Sequence, residues 1–356
     1  MPPASTDMMN KVIFLKGIFT IFAVDCTKIN KNMRRLRFFS AATVVFFMNL
    51  PFLHAQQDVI ERINDYGTFD RWSVREFRES DLIGGRTKFL YEFYGSGDTV
   101  VTRNPLVRPP YYLWRTNNVI ANVKGINKAN VTVFPERRGD GWCARIETHI
   151  EEVTVLGMIN MKVVCQGGML IGDIVEPIRN TSDPMGKVLF GVPFSGRPRS
   201  LVYDRKADVG HATVRGTGFS SLKTLDYPDY PEVCIILQKR WEDADGNVHA
   251  LRVGTGYELV TENIPEWENG HVLGIHYGDI SSKPYFRDFM ALQKDPAKVF
   301  HTLNSKGKNV PVYEDGWAEA GTEPNFMVIK FLASCHEAFY GGVGNILWID
   351  NVRIEM

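Results

Sequence analysis

Apolar and polar residues alternate along most of the chain with the period of a β-strand, and only briefly with that of a helix. Runs rich in β-branched and aromatic residues recur at Thr87–Tyr94, Ala129–Phe134, Cys143–Met158, Met161–Cys165, Ser200–Tyr203, Glu232–Trp241, Val248–Val253, Val272–Tyr277, Phe326–Ser334 and Asn345–Ile354. Turn-forming residues bound them, among them Gly139-Asp140-Gly141, Gly167-Gly168 and Gly341-Gly342. Many strands separated by glycine-rich turns predict an all-β sandwich. Asp243-Ala244-Asp245-Gly246-Asn247 stands between two alternating runs and predicts a tight hairpin. It opens like a calcium loop, but the later ligands, including the terminal Glu, are missing.

Helical signals are local. Asp58–Asn64 allows two turns. Lys283–Leu303 carries Phe286, Phe289, Met290 and Leu292, then Val299, Phe300 and Leu303, with Pro296 suited to the first turn of a second helix. This predicts a short helical insertion near 283–303 between late strands. No internal repeat or strong linker interrupts the pattern, so residues 58–356 read as one domain. The Asn104–Pro110 stretch, rich in proline at its end, is the alternative boundary.

The N-terminal region reads differently. Arg34, Arg35 and Arg37 precede an apolar run from Phe38 to Met48, then Pro51 and Leu53-His54-Ala55. Positive charge, a short apolar segment and a small residue make a secretory signal cleaved after Ala55. The run is shorter than the roughly 20 residues of a membrane-spanning helix. A second apolar run, Val12–Val24, lies upstream and is broken by Lys16. The expectation is that Met33 is the true start and residues 1–32 are upstream sequence; the alternative is a tandem membrane-anchored N-terminus. The mature chain is then exported to the periplasm, the cell surface or the medium, with no stable membrane span after cleavage.

Composition narrows the class. The 356 residues carry formal net charge +0, and removing residues 1–55 leaves 34 basic and 39 acidic residues, a net of −5. Nucleic acid is a poor partner for such a chain. Cys143, Cys165, Cys234 and Cys335 remain, which allows two disulfides in three pairings or four buried thiols.

Three blocks carry a family resemblance. They are Gly67-Thr68-Phe69-Asp70-Arg71-Trp72, then Gly191-Val192-Pro193-Phe194-Ser195-Gly196-Arg197-Pro198, and the ending Gly341-Gly342-Val343-Gly344-Asn345-Ile346-Leu347-Trp348-Ile349-Asp350-Asn351. In this order they resemble PCMD, a carbohydrate-metabolism domain family of exported proteins in Gram-negative gut bacteria. The resemblance implies a jelly-roll β-sandwich similar to carbohydrate-binding modules, and carries over no catalytic residue. The chain departs from the family at Ser334-Cys335-His336, where a Ser-Ser pair is usual, and at Asp204-Arg205, where an aromatic often stands.

A sugar site needs flat aromatic faces with planar polar groups around them. Trp142, in a glycine-rich turn, and Trp114, following Tyr111-Tyr112, are the expected platforms, while Trp72, Trp241 and Trp348 are expected in the core. Arg197, held between Gly196 and Pro198, either bonds a sugar or ties a loop to a buried carboxylate. His336 and Tyr340 flank a glycine turn and are expected to line a groove. Cys335 and His336 invite a nucleophile or metal reading, but neighbours on a strand point to opposite faces and no second cluster has zinc-ligand spacing. Glu147, Glu151, Glu152, Asp173, Glu176 and Glu242 read as exposed strand carboxylates. By similarity to carbohydrate-binding sandwiches, Asp70 and Asp350 are expected to share a structural calcium ion.

The sequence reading is therefore an exported protein that binds a polysaccharide or oligosaccharide without chemistry of its own. A glycoside hydrolase or polysaccharide lyase on the same scaffold is one alternative, and a structural or adhesin surface protein is the other.

Overall fold

Five antiparallel strands form one layer, in the spatial order Ile264–Gly274, Ser200–Asp208, Ile346–Glu355, Gly141–Glu147 and Val133–Arg138. Their pleat sends Leu201, Tyr203, Leu347, Ile349, Ala144 and Ile146 inward. There they meet Val233, Ile235 and Leu237 of the Glu232–Glu242 strand, and Met327, Ile329 and Phe331 of Phe326–Leu332. These residues form one sandwich core, as a period of two requires. The computed structural model describes residues 58–94, 99–102, 110–123, 125–179, 185–218, 220–296 and 298–356. The export signal, Met33, Ala55 and all of Asn104–Pro110 except Pro110 lie outside the described residues. Residues from Ala55 onward make one compact unit. No helix among the described residues is long and apolar enough to cross a membrane.

The second layer closes on itself. Val192–Pro193 pairs with Phe326–Leu332, which pairs with Glu232–Glu242, then Val248–Leu259. Asn309–Trp317 follows in parallel, then Phe300–Leu303 and Val188–Phe190. Gly168–Ile174 pairs with both Val188–Phe190 and Phe326–Leu332 and so completes a ring. Gly191 carries the chain from Val188–Phe190 into Val192–Pro193. Its φ is +88, and a Cβ there would lie 2.5 Å from the Met327 carbonyl oxygen, so glycine is needed. The ring has an interior of its own, filled by Ile236, Val248, Val312, Val328, Phe190 and Phe300. This explains the near-continuous apolar run at Val233–Leu237: odd positions face the sandwich and even positions face the ring, so both sides are buried.

The all-β sandwich stands, but the helical insertion does not. Residues 58–66 are helical, slightly beyond the expected span. Within 283–303 there is a 3₁₀ turn at Asp288–Met290 and a further turn in which Val299 N donates to Asp295 O at 3.0 Å. Phe300–Leu303 is a strand. The apolar spacing is satisfied without a helix. Phe289 and Met290 pack onto the ring's core, while Phe300 enters it opposite Val312 and against Phe190.

Candidate functional site

The hairpin forms as its sequence predicts. Asp243 Oδ1 accepts hydrogen bonds from the backbone N–H groups of Asp245 and Asn247, both at 2.9 Å, and Gly246 takes φ +91. The turn fixes the register, pairing Trp241 with His249; the next strand over sets Tyr313 beside His249. Trp241 and His249 lie in phase with Leu237 and Val253, so they occupy the ring's outer face where it runs past the sandwich core. Trp241 is 43% exposed and Tyr313 39%.

His249 is fixed from both sides. Its Nε2 lies 3.2 Å from Asp243 Oδ2 and its Nδ1 3.0 Å from Asp315 Oδ2. The Asp243 hydrogen bond, reinforced by Asp315, raises the imidazole above its ordinary pKa. Trp241 stacks on it at 5.5 Å and 14°. With strands about 4.8 Å apart, the row spans about 10 Å, the length of a disaccharide. Flat rings are set in a line with carboxylates at their edge. An exposed aromatic face can pack on the C–H face of a sugar, and the Asp315 carboxylate, met by His249 alone among the bonds above, can accept a hydroxyl. Asp243 is already met by Asp245 N, Asn247 N and Nδ2, and His249.

The residues expected to bind a sugar are dispersed. Trp114 is a correction: it is 1% exposed, its indole N–H donates to Ile63 O at 3.1 Å, and its ring meets Phe69 and Phe331. Leu113, Trp114, Arg115 and Thr116 are all buried, so the segment that the prolines introduce enters the core. Trp142 lies on the Gly141–Glu147 strand, in phase with core residues Ala144 and Ile146. It packs on that core, with Arg137 4.0 Å over its ring. The indole ring is partly buried, between that core and the Arg137 guanidinium. Two expected core tryptophans are also corrected: Trp241 is the exposed one above, and half-buried Trp348 points outward from the five-stranded sheet. Trp348 donates to Glu136 Oε1 at 2.9 Å and lies under Lys206. Trp72 is in the core as expected.

Arg197 ties a loop, though through carbonyls: it donates to Thr322 O at 2.9 Å and to Ala320 O, and lies over Tyr277. Glu176 is no exposed strand carboxylate; it is buried in a two-pronged pair with Arg75, at 2.5 and 2.8 Å. Glu147 and Glu151 hold His149 between them, at 3.1 and 3.6 Å. The four described cysteines are free thiols. Burial pushes Cys143, Cys165 and Cys234 up to about 12.

Asp70 and Asp350 lie close enough for Asp70 to raise the pKa of Asp350, with burial the larger cause. The two residues do not fit a calcium cage, which takes 6–8 oxygen ligands. Asp70 Oδ1 accepts Trp142 N at 2.9 Å. Asp350 Oδ2 is met at 2.7 Å by Arg138 Nη1, and the same nitrogen reaches Asp204 Oδ2 at 2.8 Å. The cation between Asp350 and Asp204 is a guanidinium.

His336 and Tyr340 do come together. Gln166 Nε2 donates to the carbonyls of both, His336 at 2.9 Å, and Tyr227 packs edge-on to the His336 ring.

Sequence reasoning missed the Trp241–His249–Tyr313 row. The Asp-Gly turn does signal that Trp241 faces His249, since they lie at equal distances from its centre. Nothing in the sequence brings Tyr313 to them.

No family model and no curated protein matches the chain. Two solved structures resemble it, each described as a putative glycoside hydrolase. One, from Bacteroides thetaiotaomicron, is 16% identical over 76% of this chain and 75% of its own, with a TM-score of 0.39. The other, from Bacteroides vulgatus, is 14% identical over 81% of this chain and 96% of its own, with a TM-score of 0.40.

Proposed function

We propose that this is an exported glycan-binding protein that seats sugar rings on Trp241, His249 and Tyr313. The observation that carries the reading is the exposed aromatic row across three paired strands, edged by Asp243 and Asp315. Large aromatics normally sit inside a sandwich, so exposed ones in register call for a flat apolar partner. The two carboxylates, with the net charge of −5 expected after cleavage, favour a neutral glycan over a sulfated or uronic one. The sequence blocks that resemble PCMD point the same way, and the export signal would put the protein in the periplasm, on the surface or in the medium.

The test is a glycan array on the purified protein, followed by titration of any hit. Binding is expected to weaken at least tenfold in Trp241→Ala and in Tyr313→Ala, with the fold unchanged. Parent-like binding by both variants would remove the site. A blank array from folded protein would favour the structural or adhesin reading. Release of reducing ends from a hit would turn the reading toward a hydrolase.

A further inference from the structure

The Glu232–Glu242 strand has Trp241 at one end. At the other, three chemically different donors converge. Asp229 lies just before the strand and is fully buried. Cys335 and His336 follow the end of the Phe326–Leu332 strand, where the chain has left extended geometry. The rule that sequence neighbours on a strand point apart therefore does not apply to them. Cys335 Sγ lies 3.3 Å from Asp229 Oδ1, and His336 Nε2 lies 3.6 Å from the same oxygen. All three donor atoms are within 4.8 Å of one another.

We propose that Asp229, Cys335 and His336 bind one zinc-class divalent ion. Zinc bonds of about 2.0–2.3 Å in tetrahedral array set neighbouring donors about 3.3–3.6 Å apart, which matches both distances to Asp229. Thiolate, imidazole and carboxylate together are a zinc donor set, and the sulfur disfavours calcium or magnesium.

The site is held in advance of any ion. Asp229 Oδ2 accepts Gly342 N at 2.7 Å, and Oδ1 accepts Tyr230 N at 2.9 Å and Cys335 N at 3.2 Å. A carboxylate has about four acceptor positions, and the one that the Cys335 S–H now fills is the one a metal would take. Asn345 Nδ2 clamps the carbonyls of Asp229 and Ala333, at 2.9 and 3.2 Å, and Gln166 grips those of His336 and Glu337. The His336 side chain is 29% exposed and gives the ion a way in. Binding displaces the Cys335 S–H proton to solvent and replaces the S–H···O bond with metal bonds to both atoms. Three protein ligands leave a fourth position for water or an outside ligand.

Titrating the reduced full chain with Co²⁺ tests this. One equivalent is expected to raise a thiolate-to-cobalt charge-transfer band with visible bands of tetrahedral intensity, and Zn²⁺ is expected to abolish them. Cys335→Ser removes the charge-transfer band, and His336→Gln weakens Co²⁺ binding at least tenfold. His336 is partly exposed, so that variant keeps the fold, checked by circular dichroism, and Asp229 stays intact in both. No band in the parent, or an unchanged band in both variants, overturns the proposal.

Discussion

Arg252 and Glu314 face each other inside the ring with neither side chain reaching solvent, Nε to Oε1 at 2.6 Å. Gln238 Nε2 donates to the same Glu314 oxygen at 2.6 Å, and Gln293 N reaches the other at 2.7 Å. Arg252 also extends to the carbonyls of Met290 and Ala291. The pair therefore holds the 290–293 loop against the ring from within. Glu314→Gln strands a buried guanidinium and is expected to cost about 3–5 kcal/mol in urea unfolding, whereas Arg252→Met with Glu314→Leu costs less. Burial opposes the charged Glu314, but Arg252 outweighs it and holds the pKa low. A lowered carboxylate contributes stability above the ordinary glutamate range and loses it as the pH falls below that range. The parent is therefore expected to lose more stability than the double variant on acidification.

Trp114→Ala and Trp142→Ala separate a core tryptophan from a rim one. Trp114 fills the sandwich and its loss is expected to cost about 3–5 kcal/mol. Trp142 is only partly buried, and its replacement is expected to cost under about 2 kcal/mol. Denaturant unfolding of both variants checks the order.

His149 gives a basic-side signature. Burial opposes its charge, but hydrogen bonds to Glu147 and Glu151 raise its pKa to about 9. A raised histidine contributes fully below its unfolded value of about 6.5, and the contribution disappears as the pH rises through about 9. Between those values the parent is expected to lose about 1–2 kcal/mol relative to His149→Gln, allowing for solvent screening. Paired thermal melts across that range measure it.

Gly191→Ala tests the turn from Val188–Phe190 into Val192–Pro193. A positive φ costs an L-residue about 1–2 kcal/mol, and the new Cβ would press on the Met327 carbonyl. The melting temperature is expected to fall by at least about 2 °C.

The strands and the 243–247 hairpin were legible because alternation and turn chemistry are local. The closed layer was not, because Gly168–Ile174 meets Phe326–Leu332 only in three dimensions. Phe289, Met290 and Phe300 mimic a helix face, yet loop packing and ring filling use the same spacing. Trp114 shows the opposite failure: four consecutive buried residues leave no alternation to read. At the two candidate sites the sequence supplied fragments. Cys335-His336 was visible, but its partner Asp229 lies more than a hundred residues upstream. Trp241 was visible too, but its exposure depends on where the facing sheet ends.

The closing contact also constrains when the molecule can assemble. Gly168–Ile174 finds Phe326–Leu332 only after residues 175–325 have been made, and the pairing is non-local. Such contacts slow folding, because the intervening chain must be ordered before they form. Until Phe326–Leu332 arrives, Glu232–Glu242 has an unpaired edge and an apolar surface on both faces. A C-terminal truncation before Phe326 would leave that strand open to pairing with other chains, so aggregation rather than partial function is its expected fate.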